Sequence, residues 1–561
     1  MTNHERQRVA WGWRSAALAL LAVALAAAVA TCGRGDGGDA SRTNATGPDG
    51  AAKAAVRDTL RRGNGPEPET LDPQRARTDS AFNILRDLFE GLTAIGPEGK
   101  PVPAAAESWT VSADGLEYVF RLREGLRWSN GDPLVAADFV AGMRRLVDPA
   151  TASPYAQVFD PVLNAAAILR GERPPETLGV SARDERTLVI RLEHPAPYLL
   201  GLLAQPGTFP VHGPTLAEHG AEHARPGRMV SNGAFVLQDW VVGSHVVAER
   251  NPSYWNAAAT QVARVHFVHH TESGAEFRQY RAGELDFTYV VPPQQYAWLR
   301  ENLPEELHIS PQLNVYYYGF NLSRPPFKDN PDLRRALSLA IDRERLTSAV
   351  TGLGEAPAWG WVPRGVSDYT PQQFDYAAKS HDERIAEARE LYARAGYSAA
   401  KPLTVEIRYN SGEVHNRLAV AIASMWKEAL GVETKLYAEE FRALLQSIQR
   451  KDTQVFRSSW VGDYDDPWTF LQLLRSGFGI NLTGYSNPAY DALLEEATLT
   501  ADTARRRALL EEAERLMLAD HPVLPLYFYV NKHLVKPYVS GWSDNTMNVH
   551  YSKNLRLDGG G

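Results

Sequence analysis

Apolar and polar residues alternate over several short stretches of the chain, and these stretches predict β-strands. Alternation with a period of two puts the apolar side chains on one face of a strand, and the Val, Ile, Phe and Tyr content favours the same structure. The stretches are spread along the chain, so strands are expected throughout rather than in one block. They are residues 117–123, 187–192, 245–250 and 264–270.

Segments with a helical period lie between these strands. The clearest are residues 330–342, 380–396 and 415–431. The first begins with Asn-Pro and places Leu333, Leu337 and Ile341 on one face. The second begins at Ser380, a residue type that caps helices, and the last two end at a glycine. Because strands and helices are mixed without a fixed-period repeat, we predict an α/β architecture of several lobes.

Length and charge narrow the class of protein. The chain has 561 residues, more than one hydrophobic core usually holds, so two or three domains are expected. Its 44% hydrophobic and 22% charged residues indicate a globular protein. The formal net charge of -8 argues against a nucleic-acid-binding protein, which would carry a basic surplus or a basic face.

The N-terminus predicts export and attachment to a membrane. Arginines precede an uninterrupted apolar run, residues 16–30, that ends just before Cys32. The run is shorter than the roughly 20 residues that cross a bilayer, and its basic start and small-residue end are typical of an export signal. The sequence V-A-T-C resembles the lipobox of bacterial lipoproteins, which implies a signal peptide at residues 1–31 and a lipid on Cys32. An ordinary signal peptide with an incidental cysteine is the alternative. Residues 32–54 are rich in Gly, Ser and Asp and predict a flexible tether.

One pattern suggests hydrolytic chemistry instead. His219 to His223 fit H-x-x-E-H, the inverted zinc-protease pattern. Both histidines would have to lie on one face of a stable helix, with a further ligand downstream, and Gly220 weakens that helix. We therefore expect a solvated polar segment, with no metal, no cofactor and no enzymatic activity. A membrane-anchored zinc peptidase remains the alternative from a different class.

Charge and aromatic surface are dense in the segment S-S-W-V-G-D-Y-D-D-P-W-T-F. It places Asp463, Asp465 and Asp466 between two tryptophans. A solvated turn has little use for tryptophans, and an apolar core rejects unpaired carboxylates. A binding site for a cationic and partly apolar ligand uses both. Two aromatic runs, residues 316–318 and 527–529, add to this surface, although each run alone favours strand packing.

Several motifs occur together along the chain. They are R-D-L-F-E-G-L at residues 86–92, W-S-N-G-D-P at 128–133, D-P-A-T-A-S-P-Y at 148–155 and P-L-Y-F-Y-V-N at 525–531. Together they resemble the extracytoplasmic oligopeptide-binding proteins of bacterial ABC importers, solute-binding protein family 5. The resemblance extends from about residue 57 to residue 558. It implies a multi-lobed periplasmic-binding-protein fold of the large class, with an extra inserted domain and a ligand cleft between two hinged lobes.

The resemblance also implies an order of domains in which the first lobe is discontinuous. The implied segments are residues 55–89 (lobe I, first part), 90–212 (inserted domain II), 213–312 (lobe I, second part), 313–531 (lobe III) and 532–561 (lobe I, third part).

The resemblance assigns the aspartate segment to the N-terminus of a bound peptide. Asp463 would pair with the α-ammonium group, and because a charge enclosed by closing lobes is costly unless it is paired, a free N-terminus would be close to obligatory. Asp465 and Asp466 match no such role and are expected to cap the helix that begins near Pro467. The residues implied to line pockets for ligand side chains are Trp460, Val461 and Phe441.

The opposite end of the peptide needs a cation. Arg457 and His415 fall on positions that meet the peptide carboxylate for different ligand lengths in the family. Arginine offers a bidentate fork, whereas histidine is expected to be partly charged near neutral pH. Ile448 stands where the family has a further basic residue, which weakens the expectation for the longest or acidic ligands.

Between the ends, main-chain groups would hold the peptide as an extended strand without recognising its sequence. The segment of the first lobe that the resemblance places there is Thr78, Asp79 and Ser80. The residues implied to supply hydroxyls and ring faces are Tyr155, Tyr317 and Tyr529. Core packing is the alternative for each tyrosine.

The sequence therefore predicts a lipid-anchored periplasmic or cell-surface receptor. It would bind peptides of about two to five residues, act as a monomer and deliver the peptides to an ABC permease. A specialised receptor for cell-wall (murein) or signalling peptides, with a narrow ligand range, is the alternative within the same fold.

Overall fold

The structure is a computed structural model that describes residues 58–559. The predicted signal peptide, the predicted tether and Cys32 lie outside these residues. Within the described range, no helix is long and apolar enough to cross a membrane.

The strands are short, apart from two. They are β1 (Thr59–Gly63), β2 (Thr93–Ile95), β3 (Pro101–Pro103), β4 (Ala106–Val111), β5 (Glu117–Leu122), β6 (Val180–Ala182), β7 (Thr187–Arg191), β8 (Phe235–Val241), β9 (His245–Arg250), β10 (Arg264–Val268), β11 (Leu307–Phe320), β12 (Ala356–Pro357), β13 (Thr404–Asn410), β14 (Glu433–Glu439), β15 (Val455–Val461), β16 (Val523–Leu534), β17 (Val539–Ser540) and β18 (Arg556–Leu557).

Helices separate most of these strands. They are α1 (Asp79–Leu88), α2 (Ala136–Val147), α3 (Ala165–Leu169), α4 (Leu199–Leu202), α5 (Gly213–His219), α6 (Ser273–Arg281), α7 (Tyr296–Asn302), α8 (Pro331–Leu339), α9 (Arg343–Arg345), α10 (His381–Arg394), α11 (Glu413–Leu430), α12 (Phe441–Gln449), α13 (Trp468–Leu471), α14 (Pro488–Leu499) and α15 (Thr503–Asp520). A π-helical segment, Leu346–Thr351, follows α9.

Three larger sheets organise the fold. One has the order β1-β10-β9-β8, and another, β4-β5-β7-β6, is built only from strands within residues 90–212. The third has six strands in the order β12-β16-β11-β15-β13-β14. In it β13 pairs in parallel with β14 and β15, whereas β11 pairs antiparallel with β15 and β16. Such mixed sheets, interspersed with helices, confirm the predicted α/β class. The bounds of the predicted domains stay a prediction.

The predicted helix starts and stops are confirmed at the capping residues. The hydroxyl of Ser380 accepts from the backbone N–H of Glu383, and the Glu383 carboxylate accepts from the backbone of Ser380, so α10 begins with a capping box. Gly431 ends α11 in the left-handed region with φ 72°. Helix α8 ends earlier than predicted, at Leu339, because Asp342 caps the separate helix α9 through the backbone N–H of Arg345.

The two longest strands link two of the sheets. Residues 307–311 of β11 pair with residues 530–534 of β16. Val535 then bridges Phe287, which also bridges Arg62 of β1. The two strands therefore lead from the six-stranded sheet to the sheet that contains β1, the region where a hinge is expected.

A bulge interrupts the ladder between these two strands. Residues 312–314 of β11 stand opposite the single residue 529 of β16. A bulge bends its strand and leaves the extra residues without partners in that ladder. Residue 313 bonds elsewhere: its carbonyl accepts from the backbone N–H of Gly462, at 2.7 Å, in the aspartate segment.

Candidate functional site

The three aspartates between the tryptophans have three different environments. Asp466 is buried and forms a bidentate ion pair with Arg506 at 2.8 and 2.9 Å. It also accepts from the backbone N–H of Trp468, the first residue of α13, at 2.8 Å, so the predicted cap contact is present although Pro467 holds the N-cap position itself. The same prediction is wrong for Asp465, whose carboxylate instead accepts from the backbone and the hydroxyl of Ser367 at 2.7 and 2.5 Å.

Asp463 differs from its two neighbours because its carboxylate has no partner. Within residues 58–559 it forms neither an ion pair nor a side-chain hydrogen bond, although its backbone carbonyl accepts from Nε2 of Gln205 at 3.0 Å. Burial raises the pKa of Asp463 from 3.8 to about 6. The carboxylate is therefore charged at neutral pH and poorly compensated, which favours a cationic ligand.

Asp463 lines a cavity of about 470 Å³. About half of the residues expected at the ligand site line this cavity. Those residues are Thr78, Asp79, Ser80, Tyr155, Val461 and Asp463. Gln312 and Leu313 of the β11 bulge also line it. The structure therefore brings the start of α1, the loop after β15 and the bulge to one cavity.

The first turn of α1 forms one wall. Thr78 caps the helix by accepting from the backbone N–H of Ala81 at 3.3 Å, and its hydroxyl also bonds to Glu69. Ser80 is buried and lies 3.1 Å from the Thr78 hydroxyl. Asp79 is exposed and, in the described part of the chain, its carboxylate forms no ion pair or hydrogen bond. The turn thus presents one free carboxylate beside the capped backbone.

Tyr155 also lines the cavity, and its ring packs edge-on against Phe82 of α1 at a centroid distance of 5.4 Å. Burial, followed by the negative charges of Asp463 and Asp79, raises the pKa of Tyr155 to about 12. The phenol is therefore neutral at physiological pH and can donate a hydrogen bond into the cavity.

Arg457 lies in a second cluster, on β15, with uncharged neighbours. Its guanidinium carbon is 4.7 Å from the centre of the Tyr316 ring, Nη1 donates to Asn410 Oδ1 at 3.1 Å, and Nη2 lies 3.5 Å from the Tyr529 hydroxyl. No carboxylate of residues 58–559 is within ion-pair distance of it. A largely buried cation with only neutral partners is suited to an anionic group of a ligand.

His415 belongs to this second cluster, but its expected charge is corrected by the structure. Nδ1 of His415 lies 3.0 Å from the Tyr316 hydroxyl. Burial, and then the positive charge of Arg457, lowers the pKa of His415 to about 4. The ring is therefore neutral near pH 7 rather than partly charged, because the fold places it beside a cation in a dry environment.

The remaining expected residues lie outside the lining of the 470 Å³ cavity. Trp460 donates from Nε1 to the Thr469 hydroxyl at 3.2 Å. Phe441, the first residue of α12, is 52% exposed. Tyr317 is buried with its ring edge against Trp361 at 4.8 Å, so the core-packing alternative describes this residue in the structure.

The cavity contains residues that the sequence did not single out, among them Arg86, Gln205, Tyr289 and Asn548. The sequence contains a pattern that could have identified Arg86. It lies seven residues after Asp79, a spacing of two helical turns that places both residues on one face of α1. No local pattern marks Gln205, which reaches the cavity only through the tertiary fold.

The H-x-x-E-H segment does not form one helix. Helix α5 ends at His219, and Gly220 follows with φ 53°. The helix is therefore interrupted at Gly220, the residue expected to weaken it. His223 is buried on the next turn, and its Nδ1 is 2.9 Å from the carbonyl of Gly220. Among the described residues, no group of three or more His, Cys, Asp or Glu side chains is arranged to hold a metal ion.

A larger cavity, of about 620 Å³, lies elsewhere, beside Glu90 and Trp255. Its main charges are already matched, because Glu90 accepts from Lys553 at 2.6 Å and from Trp255 Nε1 at 2.7 Å. The smaller cavity, with the unpaired Asp463, is the better candidate for a ligand.

Comparison with known proteins gives the family. Residues 100–481 match the family model described as "Bacterial extracellular solute-binding proteins, family 5 Middle". The chain belongs to this family. Within family 5, it is 38% identical over 511 residues to the "Periplasmic oligopeptide-binding protein OppA" of Escherichia coli (strain K12), covering 90% of this chain and 93% of that protein.

Two further members of family 5 are similar along most of their length. The "Probable deoxycholate-binding periplasmic protein YgiS" of Escherichia coli (strain K12) is 41% identical over 506 residues, which cover 90% of this chain and 94% of that protein. Among solved structures, "MppA Periplasmic Murein Tripeptide Binding Protein, Unliganded Open Form" has a TM-score of 0.81 and 37% identity, and the match covers 89% of this chain and 97% of that chain. The expected family and fold are thereby confirmed.

Proposed function

We propose that this protein is an extracytoplasmic receptor that binds short peptides through their free N-terminus and backbone and delivers them to an ABC permease. The observation that carries the proposal is the unpaired Asp463 carboxylate in a cavity that also contains the first turn of α1. Membership of family 5 and the likeness to an oligopeptide-binding protein support it.

The α-ammonium group of a peptide fits the electrostatics of this cavity. A half-buried carboxylate without a partner is poorly solvated, and a cation that binds there recovers the lost interaction energy. The same desolvation makes an uncharged, N-acetylated terminus a poor substitute, because it leaves the carboxylate unpaired in a closed site. Asp463 therefore selects for a free amine.

The peptide backbone would lie between the two clusters. Its main-chain groups would meet the backbone around Thr78 to Ser80, and Tyr155 would donate from its neutral hydroxyl. The peptide carboxylate would reach Arg457, whose fork has only neutral partners in the described chain. The ligands of this proposal are peptides of about two to five residues, with the ammonium group at one end and the carboxylate at the other.

The remaining parts of the proposal follow the N-terminal sequence and the family. A lipid on Cys32 would hold the receptor at a membrane, and residues 32–54 would serve as its tether. The receptor would act as a monomer whose lobes, divided near residues 90, 213, 313 and 532, close on the peptide.

A narrower function is the second candidate. The likeness to the open form of a murein tripeptide-binding protein favours cell-wall peptides as ligands. Deoxycholate, from the name of another relative, is an anion without an amino group and would leave Asp463 unpaired, so the cavity favours peptides over it.

The test is calorimetric titration of the purified protein, unfolded and refolded to remove carried-over ligand. The ligands are a mixed tripeptide, its N-acetylated twin, a murein tripeptide and deoxycholate. We expect the free tripeptide to bind and the acetylated twin to bind at least about tenfold more weakly. Binding of the murein tripeptide alone would replace general peptide uptake by the narrower function, and binding of deoxycholate alone would overturn both.

A further inference from the structure

The side chain of Gln205 lies between two charged residues of the candidate ligand cavity. Its Nε2 donates to the backbone carbonyl of Asp463 at 3.0 Å, and its Oε1 accepts from Nη2 of Arg86 at 3.1 Å. Gln205, Arg86 and Asp463 all line the 470 Å³ cavity. One amide group thus contacts the helix that carries Asp79 and the loop that carries Asp463.

The chemistry of the two contacts allows only one orientation of the amide. A backbone carbonyl can only accept, and a guanidinium can only donate, so the nitrogen must face Asp463 and the oxygen must face Arg86. The main chain of Gln205 is also fixed, because its carbonyl accepts from the backbone and hydroxyl of Thr208 at 3.0 and 2.9 Å. The side chain is therefore held in place at both ends.

Arg86 is a buried cation whose pKa is lowered by burial, and Tyr551 and the negative charge of Asp79 on the same helix offset that effect only in part. In the part of the chain that the structure describes, it forms no ion pair, and its Nε is buried without a hydrogen-bond partner. Its guanidinium contacts the Phe82 ring at 5.6 Å and Gln205 at 3.1 Å. Asp463, an unpaired carboxylate, lines the same cavity. In the structure burial alone shifts the pKa of Asp463, so the two opposite charges do not act on each other while Gln205 stands between them, although they would attract each other at shorter distance in this desolvated cavity.

We propose that Gln205 is a positioning residue that keeps Arg86 and Asp463 apart, so that the Asp463 carboxylate stays free for the amino group of a ligand. The neutral amide occupies the guanidinium and anchors the Asp463 main chain at the same time. Without it, Arg86 turns to the Asp463 carboxylate and forms an internal ion pair that competes with the ligand. This inference rests on the proposed peptide-binding function for its effect on ligands, but the internal ion pair does not depend on that function.

The first test is therefore a crystal structure of the full-length Gln205→Leu protein without ligand. We expect a guanidinium nitrogen of Arg86 within about 4 Å of an Asp463 carboxylate oxygen. An Arg86 side chain that keeps its distance from the carboxylate in that structure overturns the proposal, whatever the protein binds.

The second test measures affinity for a free tripeptide and for its N-acetylated twin. In Gln205→Leu we expect the free tripeptide to bind at least about tenfold more weakly, with the acetylated twin changed by less than about twofold. The inflection near pH 6 in the binding of the free peptide should move to lower pH, because an ion pair with Arg86 lowers the pKa of the carboxylate. Equal losses for both peptides, with the inflection in place, mean a general structural defect and contradict the proposal.

Rescue separates the ion pair from simple loss of packing. Arg86→Met in the Gln205→Leu background removes the competing cation and should restore most of the affinity for the free peptide. Gln279→Leu is the matched control, a half-buried glutamine outside the cavity lining with one side-chain contact, to His270 at 3.1 Å. It should leave binding unchanged. If the wild-type protein binds no peptide, the proposed function fails, and the crystal structure still decides the role of Gln205.

Discussion

The two charged ends of the candidate site are built on opposite principles. Asp463 lies in a loop, with its main chain held by Gln205 and its carboxylate left without a partner in the described structure. Arg457 lies in the middle of β15, enclosed by the Tyr316 ring, Asn410 and Tyr529. The first end is anchored through its backbone and the second through its side chain.

This difference determines how each end responds to its surroundings. The Asp463 carboxylate has a pKa of about 6, so its charge depends on pH within the physiological range. The Arg457 guanidinium stays charged at any physiological pH, and the nearby His415, with a pKa of about 4, is neutral above pH 5. One end can be switched by protons and the other cannot.

The largest expected effect is the loss of the Asp463 charge. Asp463→Ala should leave the fold intact and weaken binding of free tripeptides by at least about tenfold, or about 1.4 kcal/mol, because the ligand ammonium loses its counter-ion. Calorimetric titration measures it, with thermal unfolding as the check on the fold. Asp463→Asn, which preserves the shape, should weaken binding similarly, and wild-type-like titration of either variant contradicts the assigned role.

Low pH should also weaken peptide binding to the wild-type protein. The pKa of Asp463 is raised, so its carboxylate is protonated and neutral below about pH 6, and affinity for free-amine peptides should fall there by up to about tenfold per pH unit. Affinity should be highest near pH 7 and fall again towards pH 8, because the α-ammonium group of a peptide, with an ordinary pKa of about 7.7 to 8.0, loses its charge there. Titrations from pH 5 to pH 8 test this, and the Asp463→Asn protein should not show the loss of affinity below pH 6.

A smaller effect, dependent on peptide length, is expected at the other end. Arg457→Ala should weaken binding of one peptide length several-fold more than of its neighbours, because only a carboxylate at the right distance reaches the guanidinium. A series of peptides from two to five residues, titrated by calorimetry, measures this. Arg457→Lys keeps the positive charge but lacks the bidentate guanidinium. Its affinity for that peptide length should lie between those of the wild-type protein and Arg457→Ala. Equal losses at every length argue against a carboxylate contact.

The smallest effect is expected at His415. Since the ring is neutral at pH 7, His415→Gln removes no charge and should change peptide affinity by less than about twofold. The same variant should keep the wild-type pH profile between pH 5 and pH 8. A large loss at pH 7, absent at pH 8, would assign the histidine a charge that the structure denies it.

Much of the fold could be predicted from local sequence. The capping box at Ser380 and the glycine that ends α11 are local signals, and both helices form where those signals stand. Helix α8 stops before the predicted residue 342 because Ile341 continues the apolar face in the sequence, whereas the side chain of Asp342 caps the next helix. Whether a residue continues one helix or caps the next depends on its backbone conformation. The periodicity of apolar residues does not give that conformation.

The site was predictable only where charge was locally conspicuous. Three aspartates beside two tryptophans drew attention to Asp463, but the partners that distinguish them are distant in sequence, since Ser367 lies 98 residues from Asp465. The same holds for Gln205, which is 258 residues from Asp463. The neutral state of His415 was missed because burial and the Arg457 charge appear only after folding.

The bulge in β11 has a consequence for the kinetics of release. It interrupts the ladder in the strands that join two sheets, and its residues Gln312 and Leu313 line the candidate ligand cavity. A ligand in that cavity would therefore contact the bulge, where the strand bends. We expect good and poor peptides to differ mainly in dissociation rate, because a well-fitted ligand resists reopening, while association rates stay within about tenfold of each other in stopped-flow experiments.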